Sequence, residues 1–429
     1  MTALKARNPG LREQLKGVTT LLTGSVGAQA IPVLASFALT RIYPDTAFGV
    51  FTVFQSALAL LTTVSTGRFE AAILIPRSRR AAAKLAAACI ASSTIVSAAV
   101  TCTMLLTGSW LEARLDAPGL ASIAPLLGPS LLLADLGLVA SRWGSRGRRW
   151  ASLAWAQVAG AASRAVLTIA AGIVWQTAEA MVFAAMAGAS VSLLVARPPV
   201  GEAMAVLRAA PRRTALVRLL REHRRFPLYS VPAGILEVAA RESVVGVMSA
   251  AFGASTVGML GLAQRTMRIP VQALSASMGQ VFRQTAAERL ARGEDCRPLL
   301  LKTSATLATL AAPAFAAVIL FGPDLFAALF GANWREAGRL ARALVPMCFL
   351  SLTVGTVSNV LMLAGWQRFD FLNQAWLAVA ATAAAWGAAR SSGDPVMAVH
   401  AYGAVYSAKY LVEFGACVRA CAPARPRRP

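Results

Sequence analysis

Apolar runs of roughly twenty residues recur along the whole chain. A helix rises 1.5 Å per residue, so about twenty apolar residues cross the ~30 Å hydrocarbon layer of a bilayer. This spacing predicts a polytopic membrane protein with about twelve transmembrane helices. The candidate spans lie at 18–40, 47–66, 82–107, 120–140, 150–174, 178–196, 229–252, 255–282, 299–321, 339–363, 370–389 and 396–418.

The composition excludes an ordinary soluble domain. Of the 429 residues, 57% are hydrophobic and 14% are charged, whereas soluble domains carry about 25% charged residues. In lipid every backbone polar group needs an internal partner, which restricts spanning segments to helices and closed barrels. The runs are too long and too rich in alanine for barrel strands. The predicted fold class is therefore all-α.

The distribution of basic residues predicts the topology. If the amino terminus lies inside, most of the 42 Lys and Arg residues fall in inside segments, including a basic amino-terminal segment 1–17 and a basic tail 419–429. Both termini are then cytoplasmic, and the net charge of +23 is explained by topology and attraction to anionic lipid rather than by nucleic acid. The outside loops and their margins hold Arg41, Arg114, Arg335, Arg339, Arg342 and Arg390.

A long basic connection at 197–228 divides the spans into two groups. We predict an N-lobe at 18–196 and a C-lobe at 229–418, with six spans each around a central cavity. Within the connection, the apolar residues recur at helical spacing against arginines; they are Ala203, Val206, Leu207, Ala210, Leu216, Leu219 and Leu220. This spacing fits either a short amphipathic helix at the inner membrane surface or a disordered basic linker.

The sequence contains no motif of a soluble catalytic apparatus. There is no P-loop, HExxH motif, nucleophile elbow or glycine-rich dinucleotide turn. The six cysteines form no CxxC pair, which indicates small core residues rather than a disulfide or metal framework. The outside loops are short, the longest around 322–338, so no outside domain is available for chemistry. We expect a non-enzyme without a cofactor or metal.

Charged residues inside predicted spans indicate a functional cavity, because charge is costly in lipid. Arg164 lies near the middle of the fifth span. Arg265 and Arg268 share a face of the eighth span, just before Pro270. No acidic residue on that span compensates the two arginines, and Asp135 is alone near the inner end of the fourth span. These arginines predict an anionic ligand such as a diphosphate.

Two other spans carry charges of both signs. Glu237 and Arg241 are four residues apart in the seventh span, which predicts partial mutual neutralisation. Lys409 and Glu413 continue a polar stripe that begins at Tyr402 in the last span. Each pair fits either a salt bridge within one lobe or a role in ion coupling. Pro32, Pro232 and Pro270 are candidate bend points or ordinary tolerated kinks.

The stretch GRFEAAILIP at 67–76 follows the second span. The segment AAILIP either extends that helix at a tilt or forms a short return before the next inside charges. Arg68 and Glu70 are two residues apart, so they do not face the same side of a helix. We predict that they contact different neighbouring helices and help to fasten or open an inner gate; the alternative is two interface charges flanking an aromatic anchor.

Two regions of the chain resemble the polysaccharide transporter family. The first is GSVGAQAIPVLASFALTRIYPDTAFGVFTVFQSALALLTTVSTGRFEAAILIPRSRRAAAKL, with Thr40 to Tyr43 ending the first span and the element Arg68, Phe69, Glu70. The second is GMLGLAQRTMRIPVQALSASMGQVF in the eighth span. The likeness covers about 18–90 and 255–285. Members of this family are bacterial flippases of lipid-linked oligosaccharides, in a superfamily that also holds multidrug exporters.

The resemblance implies an alternating-access transporter in the bacterial cytoplasmic membrane. It would move an undecaprenyl-diphosphate-linked oligosaccharide to the outer leaflet for O-antigen, capsule or exopolysaccharide synthesis. It leaves H⁺ and Na⁺ open as coupling ions, and polymerase or assembly proteins open as partners. The alternatives are a multidrug exporter, which favours an acidic cavity, and a membrane polysaccharide polymerase or ligase, which needs a sizeable outside loop. The implied substrate-binding residues are Arg164, Arg241, Arg265 and Arg268; the implied gating or coupling residues are Arg68, Glu70, Glu237, Lys409 and Glu413.

Overall fold

The described part of the chain is helical and contains no strand. The computed structural model describes residues 27, 28, 30–74, 76, 78–115, 119–208, 228, 231–364 and 366–422. The segment 1–17, the middle of the basic connection and the end of the tail lie outside these residues. The all-α, polytopic fold class predicted from the sequence is confirmed.

The chain divides into two compact units, Met1–Val238 and Ala239–Pro429. In the first unit, short helices at Phe69–Ala72, Leu120–Ile123, Ala124–Leu126 and Val200–Arg208 connect or follow the long ones. The long helices before this boundary are α1 Ala30–Ile42, α2 Asp45–Val64, α3 Arg79–Leu115, α4 Leu127–Arg146, α5 Trp150–Val174 and α6 Ala178–Ala196.

The boundary between the units falls inside a helical stretch that runs Val231–Ala291. Its backbone is non-helical at Gly253, which separates α7 (231–252) from α8 (254–291). A five-residue π-helix, Ser351–Gly355, and a short helix, Val360–Leu363, lie further along the chain. The remaining long helices are α9 Arg297–Phe330, α10 Arg335–Leu350, α11 Gln367–Ser392 and α12 Pro395–Ala420.

Every predicted span overlaps one of these helices, although the ends differ. Within the described residues, eight segments are long and apolar enough to cross a membrane. Helix α3 has 37 residues and so measures about 55 Å, well beyond the hydrocarbon layer. Helix α9 continues to Phe330, so most of the outside loop expected at 322–338 is helical. The ends differ because a hydropathy pattern identifies the apolar segment that contacts lipid, and a helix can extend beyond that segment.

Small residues bring the helix backbones close together. A methyl group added at Gly188 of α6 would lie 2.7 Å from the carbonyl oxygen of Gly160 of α5. In the second unit, Gly322 of α9 and Gly338 of α10 are in similar contact, because a methyl group at Gly322 would lie 3.0 Å from the Gly338 oxygen. Close backbone approach at small residues is a main source of helix association in lipid.

The described start of the basic connection is an amphipathic helix. In Val200–Arg208 the side chain of Ala203 is buried, and Glu202 forms an ion pair with Arg79 at the start of α3, with 2.7 Å between Oε1 and Nη2. The hydrogen bond from Arg79 holds the pKa of the Glu202 carboxyl below its usual range. Residues 200–208 are therefore helical, while their position at the inner membrane surface stays a prediction.

Gly253 gives a direct test of the break between α7 and α8. Its φ of 77° and ψ of 180° belong to a region that is essentially restricted to glycine. We expect Gly253→Ala to lower the free energy of unfolding by about 1–3 kcal/mol, measured by thermal unfolding in detergent. Gly246→Ala is the matched control, since it lies in the same helical stretch and a methyl group there meets no atom within 4 Å. Equal stability of both variants would contradict this reading of Gly253.

Candidate functional site

Arg164 places a positive charge deep in the first unit. It lies fourteen residues after Trp150, about 21 Å along α5 at 1.5 Å per residue. Its Cβ packs against α6, because a methyl group at Gly188 would lie 2.7 Å from it. Within the described residues no ion pair joins Arg164 to a carboxylate. A partly buried guanidinium of this kind is suited to an external anion.

Arg265 and Arg268 lie three residues apart on α8, and both side chains are partly buried. Arg268 interacts electrostatically with the buried thiol of Cys348 on α10. No ion pair joins Arg268 to a carboxylate in the part of the chain that the structure describes. The helix continues through Pro270, and the only non-helical backbone of the stretch is at Gly253. The second unit therefore also presents a cation without a carboxylate partner.

Arg241 has a different partner from the one expected. Its Nε donates to Oε1 of Glu242 at 3.1 Å, with side chains 41% and 12% exposed, whereas Glu237 is exposed. The structure thus pairs Arg241 with its sequence neighbour rather than with the residue four positions earlier. The long arginine side chain can cross the angle of about 100° between adjacent helix positions. Arg241 is a neutralised cation, unlike Arg268.

Lys409 and Glu413 form a buried ion pair inside the second unit. The distance between Nζ and Oε2 is 2.5 Å, and the side chains are 6% and 3% exposed. The ammonium group also lies 4.4 Å from the centre of the Tyr410 ring. About two turns before Lys409 on α12, the Tyr402 hydroxyl donates to the carbonyl oxygens of Ala240 and Arg241 on α7 at 3.2–3.3 Å. The polar stripe predicted on this helix therefore packs against other helices of its own unit.

The RFE element forms a short return, the second of the two alternatives for this stretch. Gly67 and Arg68 both have a φ of 60°, and the helix Phe69–Ala72 follows at once. The Arg68 guanidinium lies against Thr63 and against Gly234 at the start of α7. A left-handed conformation at a non-glycine residue is uncommon and requires support from its surroundings.

Glu70 points to other neighbours than Arg68. Its side chain is 5% exposed, and Oε2 accepts a hydrogen bond of 2.5 Å from the Thr66 hydroxyl. Its charge interacts with Asp135 of α4 and with Cys89 of α3. Arg68 and Glu70 therefore contact different helices, while the gate that we predict for them stays a prediction.

The space at Gly234 gives a test of the Arg68 position. A methyl group there would collide with Arg68 Nη2 and lie 2.8 Å from Thr63 Cγ2. We expect Gly234→Ala to displace Arg68 and reduce transport, with a stability loss of about 1–2 kcal/mol for the strained contact. Adding Arg68→Ala should recover the stability and leave transport low, because the guanidinium is then absent. Additive stability losses in the double variant would show that the two residues do not interact.

The comparison with protein families decides what kind of membrane protein this is. The sequence model of a family described as "Polysaccharide biosynthesis protein" matches residues 38–339. The chain belongs to this polysaccharide biosynthesis protein family. The resemblance inferred from the RFE element and the eighth span is thereby confirmed. No curated protein matches the chain closely enough to count as a relative.

Solved structures show the same fold. An inward closed structure of the lipid II flippase MurJ matches with a TM-score of 0.71 and 9% identity, over 92% of this chain and 87% of that chain. A MOP superfamily transporter from Pyrococcus furiosus, described as having a binding pocket of reversed polarity, matches with a TM-score of 0.62 and 16% identity, over 95% of both chains. An outward-facing multidrug resistance MATE transporter matches with a TM-score of 0.62 and 16% identity, again over 95% of both chains. The chain therefore has the multi-pass helical fold of these membrane proteins.

Sequence reasoning identified Asp135 but not its surroundings. Asp135 was expected to be alone, whereas it lies close to Glu70 and accepts a hydrogen bond from Ser93. The π-helix Ser351–Gly355, against which Tyr410 packs, was also not predicted. Neither feature has a sequence signal, because one depends on the relative rotation of two helices and the other on a single inserted residue.

Proposed function

We propose that this transporter moves an undecaprenyl-diphosphate-linked oligosaccharide from the inner to the outer leaflet of the bacterial cytoplasmic membrane, by alternating access. Both termini would be cytoplasmic, and the product would serve O-antigen, capsule or exopolysaccharide synthesis. The lobe limits 18–196 and 229–418 belong to the same proposal. Family membership supports transport in polysaccharide biosynthesis.

The observation that carries the substrate class is the presence of membrane-embedded arginines without carboxylate partners. Arg164 in the first unit and Arg268 in the second have no ion pair to a carboxylate within the described residues. A permanent cation in lipid requires compensation, and the planar guanidinium fork fits phosphate oxygens in a bidentate arrangement. A diphosphate offers two such groups.

The proposal assigns binding roles to four arginines. Arg164, Arg265 and Arg268 would bind the diphosphate or acidic sugars, and Arg241 would contribute once its bond to Glu242 is exchanged. The polyprenyl tail would remain in lipid, because its transfer into a polar cavity would lose about 0.8 kcal/mol per CH₂ group. Gating or coupling would use Arg68, Glu70, Glu237, Lys409 and Glu413.

The deciding experiment follows the lipid-linked sugar in a strain that lacks this protein. Completed oligosaccharide on its carrier is quantified, and its accessibility from the outside is compared with that in the parent strain. We expect completed units to accumulate on the inner side. Completed units that reach the outer leaflet without being polymerised would point instead to an enzyme or assembly role, and unchanged glycan with altered drug sensitivity would point to a drug exporter.

A further inference from the structure

Two carboxyl groups meet inside the first unit. Asp135 of α4 is 1% exposed and Glu70 of the RFE element is 5% exposed. They are close enough for their charges to interact, and the thiol of Cys89 interacts with both. We call Glu70 and Asp135 the carboxyl pair. Two buried carboxylates whose charges interact repel each other, and each loses the hydration that stabilises its charge.

Within the described residues neither carboxylate takes part in an ion pair, and the adjacent Arg68 directs its guanidinium towards Gly234. Arg146, at the inner end of α4, has its Nη1 3.4 Å from the carbonyl oxygen of Ile73. Helix α6, which packs on α4, has no charged residue after Glu179 at its outer end. An uncompensated buried charge costs several kcal/mol, so at least one carboxyl requires a bound cation.

The hydrogen bonds around the pair show which cation fits. The Ser93 hydroxyl donates to Oδ2 of Asp135 at 2.6 Å, and the Thr66 hydroxyl donates to Oε2 of Glu70 at 2.5 Å. These hydroxyl protons point at the carboxylates, which leaves the hydroxyl groups poorly placed as metal ligands. The described residues contain no group of three or more His, Cys, Asp or Glu side chains that could hold a metal ion.

A further observation points to a missing proton. Oδ1 of Asp135 is buried and has no partner within hydrogen-bond distance and angle among the described residues, although Ser65 lies near enough to influence the carboxyl. One turn along α3, the hydroxyl of Ser97 is also buried without a partner. Buried polar atoms without partners are rare. A proton on Oδ1 removes the negative charge of Asp135, so that the atom without a partner no longer carries a buried charge.

We propose that Glu70 and Asp135 form a proton-binding site in which one of the two carboxyl groups carries a proton. A proton from the aqueous phase adds to one carboxylate, which becomes a neutral carboxylic acid; its release restores the second negative charge. Glu70 lies two residues after Arg68, so a change in the charge of the pair acts on the turn that contacts α7. The use of this proton to drive transport rests on the function proposed above, whereas the binding of the proton does not.

The first test uses the purified protein without any substrate. Dicyclohexylcarbodiimide reacts in apolar surroundings with protonated carboxyl groups, and peptide mass spectrometry locates the adduct. We expect labelling at Glu70 or Asp135 that falls about tenfold per pH unit above the midpoint of its titration, as for any single-proton site. Added Na⁺ should leave the labelling unchanged. Absence of labelling at both residues over the whole pH range, or protection by Na⁺, would overturn the proposal.

Conservative variants provide the second test. Asp135→Asn resembles the protonated form, so we expect it to fold, to abolish labelling at position 135 and to remove the dependence of Tm on pH over the titration range. We expect Glu70→Gln to abolish labelling at position 70 and to remove the same pH dependence of Tm, because the two carboxyl groups together bind one proton. Asp324→Asn, at an exposed carboxyl in the second unit, is the matched control and should leave the labelling intact. An unchanged pH dependence of Tm in both pair variants would also overturn the proposal.

Transport separates this proposal from the one on which it rests. If Asp135→Asn gives the expected results in the labelling and unfolding tests, its export should fall at least about tenfold. This loss corresponds to ~1.4 kcal/mol. If export is normal in the deletion strain, the substrate assignment fails although proton binding stands. If export depends on the protein and the carboxyl pair never labels, the proton site fails although the substrate assignment stands.

Discussion

Arg265→Ala is expected to abolish export of the lipid-linked oligosaccharide while leaving the protein folded. A charge-assisted hydrogen bond to an ionised group contributes about 1.5–3 kcal/mol, so the loss of one such bond weakens anion binding by roughly one to two orders of magnitude. Removal of a charge from a membrane-spanning helix also lowers the cost of placing that helix in lipid. The protein level in the membrane should therefore be unchanged or higher. The measurement is surface polysaccharide together with the membrane abundance of the variant.

Two further variants on α8 test which property of the lost guanidinium group matters and whether Arg268 has the same role. Arg265→Lys keeps the charge but loses the planar fork, so we expect partial export. Arg268→Ala should resemble Arg265→Ala, because both residues lie on one face of α8. Arg342→Ala is the control: this exposed residue of α10 lies in the part predicted to face outwards, and its Nη2 is 3.4 Å from the Leu320 oxygen. Normal export by Arg265→Ala would refute its role in binding.

Removal of one partner of the Lys409 and Glu413 ion pair should destabilise the second unit strongly. A single substitution that leaves an uncompensated buried charge costs about 3–5 kcal/mol, whereas replacement of both partners by apolar groups of similar size is often neutral. We expect Lys409→Met to lower Tm markedly and the double variant Lys409→Met with Glu413→Leu to recover most of the loss. Thermal unfolding in detergent measures the three variants.

The same double variant distinguishes a structural pair from a coupling pair. If the pair only holds α12 in place, the double variant should transport normally once its stability has returned. If the pair takes part in gating or coupling, as we propose, the refolded double variant should have lost most export. A single variant as stable as the parent protein would show instead that the buried charges are compensated by other groups.

These variants test two distinct kinds of embedded charge. Arg164 and Arg268 have no carboxylate partner within the described residues, which suits a transient ligand. Lys409 and Glu413 are satisfied by each other at 2.5 Å, which suits a permanent contact or a switch between two states. Loss of ligand binding with full stability is expected for the first kind, and loss of stability for the second.

The amino-acid sequence by itself determined the fold class, the approximate helices and the family. Long apolar runs allow only helices in lipid, since the backbone must satisfy its own hydrogen bonds there. The sequence also identified the pair Lys409 and Glu413, because residues four apart lie side by side on any helix. The break near Gly253 was predicted to within a few residues by the gap between two apolar runs.

Tertiary structure decided which residues from different helices meet. Glu70 and Asp135 are far apart in the sequence, and their proximity depends on the rotation and axial position of α4 against the RFE return. Close packing at small residues fixes the position of α4, because a methyl group at Gly128 would collide with Ser97 and Thr101 of α3, and hydropathy does not report such contacts. Arg241 forms its ion pair with Glu242 and not with Glu237, and this pairing likewise depends on side-chain conformation within the packed unit. Helix formation is local, whereas the meeting of helix faces is a property of the whole packed unit.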